Sequence, residues 1–111
     1  MQISFATQKL QKICGNDKKM RGELGVIGAQ RLRSRLTELH AATCLEDLRF
    51  LPQARCHELT GDLKGKLAVD LEQPKRLIFE PDHDPRPVKE DGGLIWQQVT
   101  AVLICEIIDY H

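Results

Sequence analysis

The chain of 111 residues is 41% apolar and 29% charged, a size and balance that predict one globular domain with a single hydrophobic core. Its longest apolar run is much shorter than the roughly 20 residues that a membrane-spanning helix needs, and no signal peptide is visible at its beginning. The composition therefore predicts a soluble, cytoplasmic protein and excludes one that spans a membrane.

The formal net charge is zero, but the charges are unevenly distributed along the chain. Residues 1–80 contain 14 basic and 10 acidic residues, a net charge of +4, whereas residues 81–111 contain 2 basic and 6 acidic residues, a net charge of −4. Local basic clusters, rather than the total charge, attract a polyanion. The neutral total is therefore compatible with a nucleic-acid partner.

The cysteines show no C-x-x-C spacing and lie in apolar or strand-like segments. This pattern predicts reduced, buried thiols in a cytosolic protein, rather than a disulfide framework or a zinc site. The residues concerned are Cys14, Cys44, Cys56 and Cys105.

The first half of the chain has the pattern of a strand followed by helices. Residues 2–5 predict a short strand, and apolar residues at helical spacing predict a first helix that ends at Gly15. Residues 23–40 predict an amphipathic helix that packs its apolar face on a core. Its other face is predicted to be solvated and carries Arg31, Arg33 and Arg35. A shorter helical turn follows and ends at Leu51, before Pro52.

From residue 54 the apolar residues recur at every second position, which is the period of a β-strand. Three successive strands are predicted around residues 56–59, 66–71 and 76–80, and the turn residues between them predict an antiparallel meander. The segment 99–109 is apolar on both faces. It therefore predicts a strand in the interior of the sheet, with helices on at least one side.

Residues 80–98 form an acidic, proline-rich hairpin excursion between two predicted strands. Its returning limb is predicted to be attached to the body of the protein through Ile95 and Trp96. Together the elements predict one α+β domain over residues 1–111, in which N-terminal helices pack on a small, mainly antiparallel sheet.

Two histidines are the candidates for proton transfer. His57 lies in the first strand of the meander, and His111 stands directly after the apolar segment 99–109 and Tyr110. Imidazole titrates near neutral pH, so two histidines that meet across a sheet are the minimum needed to move protons at physiological pH.

Three segments of the sequence resemble the HigB-type killer protein branch of the RelE/ParE toxin superfamily. They are the motif His57-x-Leu59-x-Gly61-Asp62-x-Lys64-Gly65, the strand Arg76-Leu77-Ile78-Phe79, and the segment Ile107-Ile108-Asp109-Tyr110-His111. With the two N-terminal helices, the resemblance extends over nearly the whole chain. It implies a RelE-like fold and the toxin of a type II toxin–antitoxin system, an endoribonuclease that cleaves messenger RNA on the ribosome without metal or cofactor. It also implies a helix-turn-helix antitoxin, similar to HigA, as the partner.

On this sequence the resemblance places the catalytic residues at His57, Arg76, Tyr110 and His111. Metal-independent cleavage of RNA uses the 2′-hydroxyl as nucleophile and requires a base, an acid and a cation for the phosphate. The two histidines would be the acid–base pair and Arg76 the cation. Tyr110 would orient the phosphate, stack on a base or transfer a proton.

Two features differ from the family pattern. Thr60 stands where many members have a lysine directly before the motif glycine, and the excursion at residues 80–98 is longer than the short hairpin common in the family. Lys64 and Lys66 are the candidates for binding RNA phosphates and would partly replace the missing lysine.

Simpler structural roles compete with some of these assignments. His57 would be a structural hydrogen-bonding residue, and Arg76 would pair with Glu58 or Glu80 across the sheet. His83, which lies among acidic residues, is predicted to be a surface residue rather than a metal ligand.

The sequence is also compatible with two other functions. Thr60 and the neutral total charge favour a non-enzymatic toxin that inhibits DNA gyrase, as the ParE branch does. The third function is that of a toxin-like domain without activity that only binds its antitoxin.

Overall fold

The computed structural model describes residues 1–109, so the predicted site residues Tyr110 and His111 lie outside the described part of the chain. Two α-helices, α1 (Gln8–Cys14) and α2 (Asp17–Ala41), follow the first strand. The strands of the described part are β1 (Gln2–Phe5), β2 (His57–Glu58), β3 (Leu67–Asp70), β4 (Lys75–Pro81) and β5 (Ala101–Asp109). Short 3₁₀ helices span Leu45–Phe50, Gly61–Leu63 and Trp96–Gln98. Within residues 1–109, no helix is both long and apolar enough to cross a membrane.

The strands form one mixed sheet in the order β1-β5-β4-β3-β2. β1 runs parallel to β5, and the other neighbouring pairs of the described strands are antiparallel. The predicted meander is confirmed as β2-β3-β4, and β5 is interior, as predicted, because it lies between β1 and β4. The predicted α+β class with a mainly antiparallel sheet is therefore confirmed.

The helices cover one face of the sheet. Alternation along β4 turns Leu77 and Phe79 to this side, where they join Leu32 and Leu39 of α2 in the hydrophobic core. All four side chains are fully buried, and burial of an apolar side chain of this size contributes about 2 kcal/mol. The alternate residues of β3 and β4 point to the opposite face, which we call the open face of the sheet.

α2 begins before the predicted residues 23–40 because Asn16 caps it. The side chain of Asn16 accepts a hydrogen bond from the amide of Lys19 at 3.0 Å. The helix is interrupted at Gly25, whose φ of 76° and ψ of 176° lie in a region essentially restricted to glycine. The two arms of α2 fold towards each other at this break, since Arg33 in the second arm forms an ion pair with Asp17 at the start of the first.

One arginine of the predicted solvated face of α2 lies in the interior instead. Arg35 is only 4% exposed, whereas Arg31 and Arg33 are exposed. The prediction was wrong for Arg35 because residues three and four apart share a helix face. This spacing aligns Arg35 with the buried Leu32 and Leu39.

The predicted attachment of the excursion through Trp96 is confirmed. Trp96 is buried, its indole N–H donates a hydrogen bond to Glu58 Oε2 at 3.2 Å, and the guanidinium of Arg49 lies 3.7 Å from the centre of its ring. Within the excursion, an isolated β-bridge pairs Val88 with Leu94. Trp96 therefore connects the returning limb both to β2 and to the 3₁₀ helix Leu45–Phe50.

The four cysteines lie in the described part of the chain and are free and half-buried. Burial raises the pKa of the Cys56 thiol to about 12 and that of the Cys14 thiol to about 11, because the thiolate loses its hydration in apolar surroundings. Both side chains pack against the hydrophobic core. These two thiols therefore stay protonated at neutral pH.

Candidate functional site

His57 and Arg76 project from the same face of the sheet. His57 on β2 is paired with Ala68 on β3, and Arg76 on β4 is paired with Asp70 on β3. Ala68 and Asp70 are two residues apart, so their side chains point to the same side, which is the open face. Two of the predicted catalytic residues thus share one surface, with β3 between them.

One backbone hydrogen bond orients the His57 ring. The Nδ1 atom lies 2.7 Å from the carbonyl oxygen of Arg55. A carbonyl oxygen only accepts, so Nδ1 donates and carries the hydrogen, and the neutral ring keeps its lone pair on Nε2. This hydrogen bond agrees with the alternative in which His57 is a structural hydrogen-bonding residue, but it uses only one ring nitrogen. The half-exposed ring retains Nε2 as a proton acceptor.

Arg76 forms an ion pair with Asp70, and its Nε lies 3.5 Å from Asp70 Oδ1. The predicted structural partners, Glu58 and Glu80, were wrong. Glu58 is paired with Leu67, and therefore points to the helix side, where it binds Trp96. Glu80 lies four residues from Arg76 along β4, a separation of about 13 Å in an extended strand.

Asp70 lies at the centre of a polar group on the open face that also contains Arg55, Gln73 and Arg76, and that we call the Asp70 cluster. The residue is only 5% exposed. Gln73 Nε2 donates a hydrogen bond to Asp70 Oδ2 at 2.8 Å, and Arg55 Nη1 lies 3.5 Å from the same oxygen. One carboxylate thus stands between two guanidinium groups, which leaves the cluster with a net charge of +1.

Arg55 connects the Asp70 cluster to His57. Its backbone has a φ of 48°, in the left-handed region that residues other than glycine seldom adopt. In this conformation its carbonyl oxygen reaches the His57 ring, while its guanidinium reaches Asp70. The described contacts therefore run without interruption from His57 through Arg55 and Asp70 to Arg76.

Arg35 supports the cluster from the helix side. Its Nε donates a hydrogen bond to the backbone carbonyl of Asp70 at 2.8 Å, and its guanidinium forms an ion pair with Glu38. Glu38 also accepts a hydrogen bond from Gln53 at 3.1 Å. The end of β3 is thus fixed to α2, which holds the Asp70 backbone in place.

The sequence interpretation did not identify Arg55 and Asp70 as site residues. A signal for Asp70 was present, because it is the one charged residue among the four residues of β3, which are all buried. A buried carboxylate requires partners, and basic residues nearby in a meander are the natural ones. No comparable signal marks Arg55, since its role depends on a left-handed backbone conformation that the sequence pattern does not show.

The two predicted RNA-binding lysines lie near the hairpin between β2 and β3. Lys66 directly precedes β3 and, by alternation with Ala68 and Asp70, belongs to the open face. Lys64 is exposed and follows the 3₁₀ helix Gly61–Leu63, and Thr60 precedes that helix. The hairpin thus places Lys66 on the face that carries His57, whereas Lys64 lies in the turn.

His83 has a structural contact rather than metal ligands around it. Its Nε2 accepts a hydrogen bond from the backbone amide of Thr100 at 3.0 Å. Among residues 1–109, no group of three or more histidine, cysteine or acidic residues is arranged to hold a metal ion.

A groove of about 420 Å³ lies apart from these residues, between the helices and the second half of β5. Its apolar lining includes Leu10, Ile13 and Leu24, and neither His57 nor Arg76 contributes to it. The candidate residues therefore lie outside this groove, on the open face, where Ala68, Asp70 and Ile78 are buried and Arg55 is 64% exposed.

No protein-family model matches the chain, and no curated protein matches it. Among solved structures it is similar to the YoeB–YefM complex from Staphylococcus aureus, with a TM-score of 0.55 and 14% sequence identity, over 100% of this chain and 97% of that chain. It is also similar to the toxin–antitoxin complex RelBE2 from Mycobacterium tuberculosis, with a TM-score of 0.41 and 14% identity, over 98% of this chain and 96% of that one. The likeness to the first complex shows that the chain shares its fold, so the predicted α+β, RelE-like fold is confirmed.

Proposed function

We propose that this chain is the toxin of a type II toxin–antitoxin system and that it is a ribosome-dependent endoribonuclease. The single observation that supports this function best is the geometry of His57. Its Nδ1 is engaged by the Arg55 carbonyl, so Nε2 is the atom that accepts a proton, and the ring shares the open face with Arg76. A fixed tautomer on the same surface as a phosphate-binding cation fits the needs of metal-independent RNA cleavage.

The proposed reaction begins with removal of the proton from the 2′-hydroxyl of one nucleotide. The resulting oxygen attacks the adjacent phosphorus, the bond to the 5′-oxygen of the next nucleotide breaks, and that oxygen takes a proton from the acid. One product ends in a 2′,3′-cyclic phosphate and the other begins with a 5′-hydroxyl. His57 and His111 divide the roles of base and acid, and Arg76 neutralises the negative charge that grows on the phosphate.

The remaining roles in this proposal follow the motifs of the sequence. Tyr110 orients the phosphate, stacks on a base or takes part in proton transfer, and Lys64 and Lys66 contact the RNA backbone. Lys66 is supported by its position on the open face.

The proposed partners are a cognate antitoxin and the translating ribosome. The first complex named above pairs YoeB with YefM, and the second is a toxin–antitoxin complex. These pairings support an antitoxin partner for this chain as well. The segments that resemble the HigB branch favour a HigA-like helix-turn-helix protein as that partner. Because its target is translated messenger RNA, the proposed place of action is the cytoplasm.

The ion pair between Arg76 and Asp70 favours a second candidate function. If the carboxylate neutralises Arg76 permanently, the chain is a toxin-like domain that binds its antitoxin without cleaving RNA. Expression of the chain without antitoxin distinguishes the two functions, because an inactive domain leaves growth unchanged. Inhibition of DNA gyrase in a supercoiling assay, without RNA cleavage, would instead identify the ParE-like function.

Cleavage of messenger RNA by the purified chain in a translation extract tests the proposed function. We expect discrete cleavage sites with the wild type, and a rate at least about 100-fold lower for His57→Ala and for His111→Ala, since each removes a proton carrier. His40→Ala is the matched control, because His40 is exposed at the end of α2. This variant should cleave messenger RNA as the wild type does. Wild-type cleavage by His57→Ala would refute the assignment.

A further inference from the structure

The ion pair with Asp70 does not by itself explain the position of the Arg55 side chain. Its side chain is 64% exposed, and the pair is long, with 3.5 Å between Arg55 Nη1 and Asp70 Oδ2. An ion pair at this exposure contributes little to stability. A guanidinium has five N–H donors in a planar fork, and Asp70 engages one end of it, so the fork also faces solvent.

This fork contacts the same carboxylate as the predicted phosphate-binding residue Arg76. Arg55 and Arg76 contact different oxygens of one carboxylate, Oδ2 and Oδ1 respectively. The Asp70 carboxylate is itself held by Gln73 Nε2, and its backbone carbonyl by Arg35 Nε. Two guanidinium groups are thus positioned side by side around a carboxylate that is nearly inaccessible to solvent.

The charge of this arrangement suits an anionic ligand. Within the cluster, one carboxylate lies between two guanidinium groups, so these side chains together carry a net charge of +1. The exposed member, Arg55, is also the residue whose carbonyl orients His57. An anion bound by Arg55 would therefore lie on the same surface as the His57 ring and Arg76.

We propose that Arg55 is a second phosphate-binding residue of the site, which contacts the phosphodiester backbone of single-stranded RNA beside the phosphate held by Arg76. Asp70 is the positioning residue that holds the two guanidinium groups apart and directs them to the open face. This inference rests on the proposed function for the identity of the ligand, because a ribonuclease supplies a chain of phosphates to this surface. It adds a cation that neither the motif nor the likeness in fold assigns.

The chain contains a matched control for this cluster. On the exposed surface of α2, Asp17 forms ion pairs with Arg21 and Arg33, so a carboxylate stands between two arginines there as well. Arg21 is 48% exposed and belongs to the helices that cover the opposite face. Arg21→Ala therefore removes the same charge and the same type of ion pair as Arg55→Ala, but away from the site.

The test measures binding of a short single-stranded RNA whose 2′-hydroxyls are methylated, so that it cannot be cleaved, over a range of salt concentrations. For single strands, each phosphate contact contributes about 0.7 to the slope of log affinity against log salt concentration. Arg55→Ala is expected to reduce the slope by about 0.7 and to weaken binding about 10-fold at low salt. Arg55→Lys should restore the slope, because it restores the charge, and Arg21→Ala should bind as the wild type does.

The outcomes separate this inference from the proposed function. An unchanged slope for Arg55→Ala, in a protein whose wild type cleaves messenger RNA, overturns the role of Arg55 and leaves the ribonuclease assignment intact. A reduced slope in a protein that binds RNA but never cleaves it supports Arg55 and overturns the ribonuclease assignment. Equal losses for Arg55→Ala and Arg21→Ala would show only general electrostatic attraction, and absence of RNA binding by the wild type would overturn the inference as well.

Discussion

At the scale of single residues, Asp70 is the residue on which the candidate site depends most. It is a buried carboxylate with three polar partners on its side chain, Arg55, Gln73 and Arg76, and one on its backbone, Arg35. A buried charge persists only when neighbouring groups compensate it. The site is therefore an electrostatic unit, and removal of Asp70 affects both guanidinium groups together.

Asp70→Asn is predicted to lower kcat for RNA cleavage about 10-fold to 100-fold while KM changes less than about 3-fold. The substitution removes a negative charge, so the attraction of RNA is kept, but the guanidinium groups are no longer held in position. Steady-state kinetics on programmed ribosomes give both constants, and a thermal unfolding curve confirms that the variant is folded at the assay temperature.

Asp17→Asn is the control, since Asp17 also pairs with two arginines but lies half-exposed on α2. It should leave both kinetic constants unchanged. If Asp70→Asn only reduces the fraction of folded protein, and kcat per folded molecule stays as in the wild type, then Asp70 has only a structural role.

The buried thiols allow a second prediction at this scale. Burial raises the pKa of Cys56 to about 12, so a much smaller fraction of this thiol is thiolate at pH 8 than in the unfolded chain. Alkylation of Cys56, followed by peptide mass spectrometry, should be at least about 100-fold slower in the native protein than in urea. A native rate within about 10-fold of the unfolded rate would contradict the burial of this thiol.

The same shift makes stability depend on alkaline pH. Thiols of the unfolded chain have a pKa of about 9, whereas burial raises the pKa of Cys56 to about 12 and that of Cys14 to about 11. The stabilisation is therefore fully present below about pH 9, and the free energy of unfolding should decrease as the pH rises from there towards the folded-state values. Denaturation curves across this pH range show whether the free energy of unfolding decreases as predicted.

At the scale of elements, the break in α2 at Gly25 determines how the helices cover the sheet. The break allows Asp17 in the first arm to reach Arg33 in the second, although the two residues are 16 positions apart. In a straight helix they would be separated by about 24 Å. Gly25 thus converts a long helix into two arms that cover the core together.

Substitution of two glycines in the first half of α2 tests this role. Gly25→Ala should destabilise the protein by about 1 to 3 kcal/mol, because φ of 76° and ψ of 176° are strained for any residue with a Cβ atom. Gly22→Ala should stabilise it by up to about 1 kcal/mol, because Gly22 has helical geometry and a Cβ atom there meets nothing within 4 Å. Urea denaturation measures the free energy of unfolding of both variants. A change of the same sign in both would contradict the break at Gly25.

The strands show why some elements could be predicted from the sequence and others could not. Alternation along β3 and β4 predicted their faces correctly, because only one side of each strand is packed on the helices. β5 is apolar on both sides except at Glu106 and its last residue, Asp109, so alternation alone did not determine its register. The structure shows an irregularity in its pairing with β4, where Ile78 is opposite Glu106 and Phe79 is opposite Ile104. In regular alternation Glu106 would share the face of the buried Val102 and Ile104, and the bulge instead turns it to the open face, where it is exposed. Alternation alone could not locate this bulge.

In the molecule as a whole, helices cover one face of the sheet, and the candidate residues His57 and Arg76 lie on the other face. The sequence predicted that helices cover at least one face, because the helical and strand periods are clear in the two halves of the chain. It did not predict how the cations are held, because the pairing of Arg76 with Asp70, rather than with Glu80, depends on the strand register. The burial of Arg35 was likewise not predicted, because it depends on which residues of α2 face the core.

The proposed function requires that the open face supports attack by an RNA 2′-hydroxyl. The most direct test is a messenger RNA with a single 2′-deoxy substitution at a mapped cleavage site, translated in the presence of the purified wild-type chain. We predict that the deoxy position resists cleavage, while the unmodified RNA is cut there and yields a 2′,3′-cyclic phosphate and a 5′-hydroxyl. Unchanged cleavage at the deoxy position, or products with a 5′-phosphate, would contradict the claim.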